Sequence, residues 1–231
     1  MREAVVLAGG FGTRLQPLVR DVPKPMAEVA GRPFLCHVLD GLCGYGFTHV
    51  VLSTGYLHEC VEDYFGDNYR SMQISYAREL EPLGTGGGIW YGMQQVSGEY
   101  AFVLNGDTLF RTNLDALESL ALRKKAPVLA LRRVEDVSRY GSVELAEDGR
   151  ILRFVEKNAA SGAGNINAGV YLLPKSLFAG FRVGVRFSLE KDVLEKLVSK
   201  QPFYGYVSDG YFIDIGIPED YMRAQKELFS C

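Results

Sequence analysis

Short apolar runs and helix-spaced apolar residues alternate along the first two-thirds of the chain. Residues 5–8, 49–53, 101–104 and 128–131 are continuous or nearly continuous hydrophobic runs of strand length, and residues 72–76 alternate apolar and polar as a strand does. Between them, residues 34–45, 56–65, 86–96 and 114–124 repeat apolar positions at helical spacing. A strand followed by a helix and another strand, several times over, predicts a mostly parallel sheet with helices on both faces. Right-handed crossovers then place the strand carboxyl ends along one edge, where ligands bind in such sheets.

The pattern changes after Tyr140. Residues 142–145 and 151–155 flank Glu147-Asp148-Gly149 and predict a hairpin. Residues 166–173 read as a strand, and Ser188 as the N-cap of a helix over 189–198. Residues 203–207 and 211–215 predict a second hairpin around Ser208-Asp209-Gly210, and Pro218 opens a final helix. With no repeat, linker or low-complexity tract, one compact unit over residues 1–231 is expected, its later strands forming a lid-like subregion over the sheet edge.

Bulk properties narrow the function. A hydrophobic fraction of 47% supports a real core, and a net charge of -3 argues against a general nucleic-acid binder. No apolar stretch is long enough to span a bilayer, and no signal peptide is expected ahead of the first strand. The cysteines Cys36, Cys43, Cys60 and Cys231 lack metal-binding spacing, which fits reduced thiols in a cytoplasm.

The first strand runs into Leu7-Ala8-Gly9-Gly10-Phe11-Gly12-Thr13-Arg14-Leu15. Glycines let backbone approach a ligand closely, their N–H groups can cradle phosphate, and Arg14 adds a forked cation. The loop lacks the G-K-[ST] ending of a Walker loop, and it lacks the dinucleotide fingerprint with its ribose acid, which sets aside a nicotinamide-dependent dehydrogenase. Prolines pin the backbone on both sides of Lys24 in Val22-Pro23-Lys24-Pro25-Met26, so its stem is expected in an extended setting aimed at a ligand. Further on, Glu81-Pro82-Leu83-Gly84-Thr85-Gly86-Gly87-Gly88 precedes a helix, and its glycines predict a flat surface for a nucleobase. Asp107 closes an apolar strand after Asn105-Gly106, and Asp214 interrupts another. Two carboxylates in apolar strands need compensation, which a magnesium ion bridging phosphates can supply.

L-A-G-G-x-G-T-R-L followed by P-K-P-M resembles the signature of the sugar nucleotidyltransferase family, and the similarity runs through almost the whole chain. The resemblance implies a Rossmann-like α/β fold of the nucleotide-diphospho-sugar transferase type with a small strand-rich sugar-binding subregion. It divides the chain into a nucleotide-binding part, residues 1–135, and a sugar-binding part with the C-terminal helix, residues 136–231. It implies that Arg14 and Lys24 neutralise triphosphate oxygens and that Asp107 and Asp214 hold the catalytic Mg2+. Leu7, Ala8, Gly9, Gly10, Gly12, Thr13, Glu81, Pro82, Gly84, Thr85, Asn105 and Gly106 fall where the family contacts the nucleotide. Tyr140, Gly141, Glu156, Lys157, Asn167 and Gly169 fall on its sugar-phosphate segments, with Glu156 on sugar hydroxyls and Lys157 on the phosphate. Retention of Arg14, Lys24, Asp107 and Asp214 argues against a non-catalytic regulatory paralogue. An appended acyltransferase arm is not expected, since no hexapeptide-repeat region is read after the last helix.

R-Y-G-S-V, F-S-L-E-K-D and F-I-D-I-G-I-P-E-D-Y are similar to the branch that uses GTP and a D-glycero-α-D-manno-heptose 1-phosphate to make a GDP-sugar for bacterial surface polysaccharide. Transfer from UTP or dTTP to a hexose or amino-sugar 1-phosphate, or from GTP to mannose 1-phosphate, is the alternative. Guanine's N1–H and amino group call for acceptors, expected from Glu81 or nearby carbonyls. The sequence leaves a homo-oligomer open.

Overall fold

A computed structural model describes residues 2–10, 15, 19, 21–155 and 161–229. In chain order the strands and helices are β1 (Glu3–Leu7), β2 (Glu28–Val29), β3 (Arg32–Pro33), α1 (Phe34–Gly44), β4 (His49–Thr54), α2 (His58–Phe65), β5 (Asn68–Tyr69), β6 (Met72–Arg78), α3 (Gly84–Gly92), β7 (Tyr100–Asn105), β8 (Thr108–Phe110) and α4 (Leu114–Lys124). They continue as β9 (Val128–Val134), β10 (Ser142–Leu145), β11 (Ile151–Val155), β12 (Gly164–Pro174), α5 (Glu195–Leu197), β13 (Tyr204–Val207), β14 (Phe212–Asp214) and α6 (Pro218–Leu228). Among the described residues no helix is long and apolar enough to cross a membrane.

The main sheet runs β11-β10-β12-β7-β1-β4-β6-β5, with β9 joining β12 to β13. Its centre is parallel: β1 lies between β4 and β7, Val6 pairing with Leu52 on one side and Leu104 on the other. Such strands are covered on both faces, which is why β1 is apolar at successive positions. Val6 joins a core with Phe34, Leu39, Phe102 and Leu117, while its neighbour Val5 joins the opposite core with Ile89, Val103, Phe178 and Leu189. Glycines allow α3 to lie directly on the sheet; a Cβ on Gly92 would stand 2.7 Å from the Val5 side chain.

The expected β10–β11 hairpin is present. The strands of the second half are continuous with the sheet, because β12 runs antiparallel to β7, β9 and β10. Its register shifts between Asn167 and Tyr171, where Gly169 takes φ +72°.

Two expectations are corrected. Residues 203–207 and 211–215 do not pair with each other. β13 lies parallel to β9, and β14 pairs antiparallel with β8, setting Asp214 opposite Thr108. The helix expected over 189–198 is instead a π-wound segment, Leu189–Leu194, continued by α5; Ser188 does cap it, its Oγ accepting from the Lys191 N–H at 3.2 Å.

Candidate active site

The carboxyl ends of the parallel strands open onto a cleft of about 740 Å³. From β1 come Leu7, Gly9 and Gly10, and from the end of β7 come Asn105 and Asp107. Gly9 lies so close to the turn after β4 that a Cβ would stand 2.9 Å from the Gly55 nitrogen, so only glycine fits there. Pro82, Gly84 and Thr85 line the cleft from the segment leading into α3, and Tyr140, Gly141, Asn167 and Gly169 line it from the antiparallel half.

At its floor Lys24, Asp107 and Asp214 converge. The Lys24 ammonium donates to Asp107 Oδ2 at 2.6 Å and to Asp214 Oδ1 at 3.4 Å. Lys24 stands in a single 3-10 turn, Lys24–Met26, rather than in extended backbone; extended geometry stops at Pro23. Asp214 reaches this point through the β8–β14 ribbon, where the Ile215 N–H donates to the Asp107 carbonyl at 3.1 Å. The turn after it needs Gly216, whose N–H donates to Asp214 Oδ1 at 2.7 Å and where a Cβ would stand 3.1 Å from the Lys24 nitrogen. Burial alone would push the Lys24 ammonium down, but the two carboxylates outweigh it and hold its pKa above the ordinary lysine value.

The antiparallel half contributes shape. Gly169 abuts Asn105, a Cβ there standing 2.7 Å from the Asn105 amide nitrogen. Asn167 is held from both ends, its amide donating to the Tyr171 hydroxyl at 2.7 Å and its carbonyl accepting the Gly169 N–H at 3.2 Å. Tyr140 packs edge-on against Phe212 of β14 with ring centroids 5.7 Å apart, and the guanidinium of Arg139, which pairs with Asp220 of α6, lies 5.6 Å from the Tyr140 ring centroid.

Three expected nucleotide residues do not line the cleft. Ala8 and Gly106 are buried behind it, a Cβ on Gly106 running to 2.5 Å from the Leu7 carbonyl oxygen, and Glu81 is exposed. Gly12, Thr13, Arg14, Glu156 and Lys157 lie outside the described residues. The glycines of α3 are not an open platform either. A Cβ on Gly86 would run into the Phe187 ring, one on Gly87 would meet the Val185 carbonyl oxygen at 2.7 Å, and one on Gly88 would meet Glu79 Oε1 at 2.5 Å. These glycines are filled by protein; only Gly84, at their head, faces the cleft.

Glu79, Glu190, Lys191 and Phe212 all line the cleft, yet sequence reasoning assigned none of them a site role, although the last three lie in the F-S-L-E-K-D and F-I-D-I-G stretches that carry the resemblance. Glu79 follows β6 immediately, a carboxylate at a strand end like Asp107, and that position was the available signal. Its Oε1 accepts from Ser53 Oγ at 2.8 Å and its Oε2 from the Leu83 N–H at 2.8 Å, so it also anchors the 80–84 loop.

Comparison with known proteins shows the family of the chain. Residues 3–230 match the family of nucleotidyl transferases. The chain is 45% identical over 227 residues to the D-glycero-alpha-D-manno-heptose 1-phosphate guanylyltransferase of Aneurinibacillus thermoaerophilus, covering 98% of each protein. It is 40% identical to the protein of the same name from Campylobacter jejuni, covering 95% of this chain and 96% of the relative. Among solved structures, HddC from Yersinia pseudotuberculosis complexed with GMP-PN superposes with a TM-score of 0.86 at 34% identity, over 99% of this chain and 100% of that one. A glycine loop, a lysine and two carboxylates gathered at the carboxyl edge of a parallel sheet, in a chain matched along almost its whole length, make this protein a member of the nucleotidyl transferase family.

Proposed function

We propose that the protein transfers a guanylyl group from GTP to D-glycero-α-D-manno-heptose 1-phosphate, releasing pyrophosphate and forming a GDP-sugar. The observation that carries this reading is the convergence of Lys24, Asp107 and Asp214, from three distant segments, at one point of the cleft floor. The two near full-length relatives named for that reaction supply the base and the sugar. A phosphate oxygen of the sugar phosphate attacks the α-phosphorus of GTP. The bond from that phosphorus to the bridging oxygen breaks, and the electron pair leaves with pyrophosphate. The attacking oxygen is already anionic at neutral pH, so no general base is needed, and positioning with charge stabilisation carries the rate.

The donor set at the floor fits a magnesium ion. Two hard carboxylates face the cleft and reach a common cation, and magnesium typically takes one or two carboxylates with phosphate oxygens and water. Asp107 and Asp214 are the residues that would hold it, and it would neutralise developing charge on the phosphates. Lys24 would turn its N–H groups to the triphosphate and, outside the described residues, Arg14 would join it. Lys157 would hold the sugar phosphate and Glu156 the sugar hydroxyls. Tyr140, Gly141, Asn167 and Gly169 would shape the wall that the sugar meets, and Asn105, packed against Gly169, would face the nucleotide.

For the base we assign the acceptor role to Glu79 rather than Glu81, because Glu79 lines the cleft and Glu81 is exposed. Each of its carboxylate oxygens has spare acceptor capacity for the N1–H and amino group of guanine. Uracil and thymine offer a single N3–H between two carbonyls, so they would satisfy one carboxylate oxygen and set a carbonyl against the other. The reaction suits a cytoplasmic step ahead of bacterial surface-polysaccharide assembly.

A pyrophosphate-release screen of GTP, UTP and dTTP against a panel of sugar 1-phosphates tests this directly. GTP with the heptose 1-phosphate is expected to give the highest kcat/KM. Preference for UTP or dTTP would overturn the guanylyl assignment, and preference for a hexose 1-phosphate would overturn the sugar.

A further inference from the structure

Glu190 and Lys191 are neighbours in the π-wound segment, and their side chains do different things. Glu190 Oε2 accepts from Thr85 Oγ1 at 2.6 Å and from Ser188 Oγ at 2.8 Å, while Thr85 Oγ1 accepts the Leu189 N–H at 2.9 Å. Backbone bonds tighten the same junction. The Gly86 and Gly87 N–H groups donate to the Phe187 carbonyl at 3.1 and 3.2 Å, and the Phe187 N–H donates to the Leu83 carbonyl at 3.0 Å. Together these bonds strap residues 187–191 to the start of α3. Lys191 therefore leaves a fixed root, its own N–H held by Ser188 Oγ, and lines the cleft. π-wound turns inside helices often mark functional sites.

The charges around the cleft make Lys191 unusual. Glu79 and Glu190 are engaged within the protein, and Lys24 is shared between Asp107 and Asp214. The nearby Asp192 carboxylate is occupied by Lys196 at 2.7 Å and the Ser188 N–H at 2.9 Å. Among the described residues the Lys191 ammonium makes no hydrogen bond or ion pair, so its three N–H donors stand ready for a ligand. The substrates of the proposed reaction are polyanions, and the described cleft wall carries more carboxylates than ammonium groups.

We propose that Lys191 is a phosphate-binding residue of the active site, held at the cleft wall by the Glu190–Thr85 strap; the assignment rests on the nucleotidyl-transfer reading above. The shared chemistry is a phosphate oxygen, supplied by the triphosphate or by the sugar 1-phosphate. Calorimetric titration of the wild type, K191Q and K191R with magnesium GTP, inorganic pyrophosphate and the heptose 1-phosphate separates those sources. Loss of a charge-assisted contact is expected to weaken K191Q for at least one ligand by about tenfold or more. K191R, which keeps the charge, is expected to stay within about threefold, and the salt dependence of binding is expected to flatten in K191Q alone. Thermal midpoints are expected to coincide, because the side chain is exposed. K191Q binding all three ligands within about twofold of wild type would overturn the proposal. The pyrophosphate arm reads Lys191 whatever base or sugar the enzyme prefers, whereas a wrong substrate assignment shows in the wild type alone.

Discussion

The parallel and antiparallel halves of the sheet furnish the cleft in different ways. In the parallel half each strand delivers its residues by ending: β1 at Leu7, β6 just before Glu79, β7 just before Gly106 and Asp107. Strand ends gather along one edge whatever the intervening sequence, so charged groups accumulate there and can hold the reacting phosphates. In the antiparallel half β12 passes through the site in mid-strand, and Asn167 and Gly169 line the cleft where its register with β9 shifts between Asn167 and Tyr171. That half offers mainly amide, ring and backbone surface, which suits an uncharged sugar ring. The ribbon of β8 and β14 is where the two styles meet, since it carries Asp214 to Asp107.

Substitutions on either side sharpen or break this contrast. The largest effect is expected where charge accumulates. D107N or D214N should lower kcat by about 100-fold or more while the fold persists, and chelation of divalent metal should abolish turnover of the wild type. Near-normal rates with magnesium for both variants would end the metal assignment.

A stability control lies at the opposite edge of the same parallel strands. Burial alone would raise the pKa of Glu3, but bonds from Ser97, His49 and Gly98 lower it from the usual 4.5 to about 2. A depressed carboxylate stabilises the folded state fully above its unfolded pKa and loses that contribution as pH falls from about 4.5 towards about 2. The full contribution is on the order of 3 kcal/mol. Urea midpoints across that window should fall in the wild type and change less in E3Q; parallel curves would rule out the Glu3 linkage.

Next come the two lysines. K24A should chiefly impair use of GTP and K157A should chiefly raise KM for the sugar phosphate, each by about 1.5–3 kcal/mol of binding. Identical patterns against both substrates would erase the division of labour between the halves. The smallest effect is expected for G169A. A left-handed alanine costs about 1–2 kcal/mol, and its Cβ would press on Asn105, so thermal stability should drop and KM should rise modestly. An unchanged KM would show that Asn105 tolerates displacement.

The parallel half was legible in the sequence because its information is local. An apolar run followed by glycines or a carboxylate announces a strand end, and Asp107 was found that way, whereas the prolines around Lys24 and the break in an apolar run at Asp214 marked the other two. The failures share a cause. Ser208-Asp209-Gly210 has hairpin chemistry, but Gly210 lies against the Arg111 backbone and β14 goes on to β8 while β13 stays with β9. Turn composition does not name the strand's partner. The glycines of α3 looked like room for a base because their packing partner, Phe187, stands about a hundred residues away in sequence. For the same reason Glu190 and Lys191 read as the first turn of an ordinary helix.

The interrupted register of β12 also sets the mechanics of the enzyme. One strand bonds to β7 through residues 170–174 and to β10 through residues 165–166, so neither half can rotate away from the other as a rigid block without bending it. Residues 168 and 169 lie where the ladder to β9 is interrupted, and there Gly169, with positive φ, abuts Asn105. Opening of the cleft during substrate entry and product release is therefore expected to bend β12 at these two residues. The Ala168 amide hydrogen should exchange faster than those at 165–166 and 171–173; uniform protection along β12 would remove that expectation.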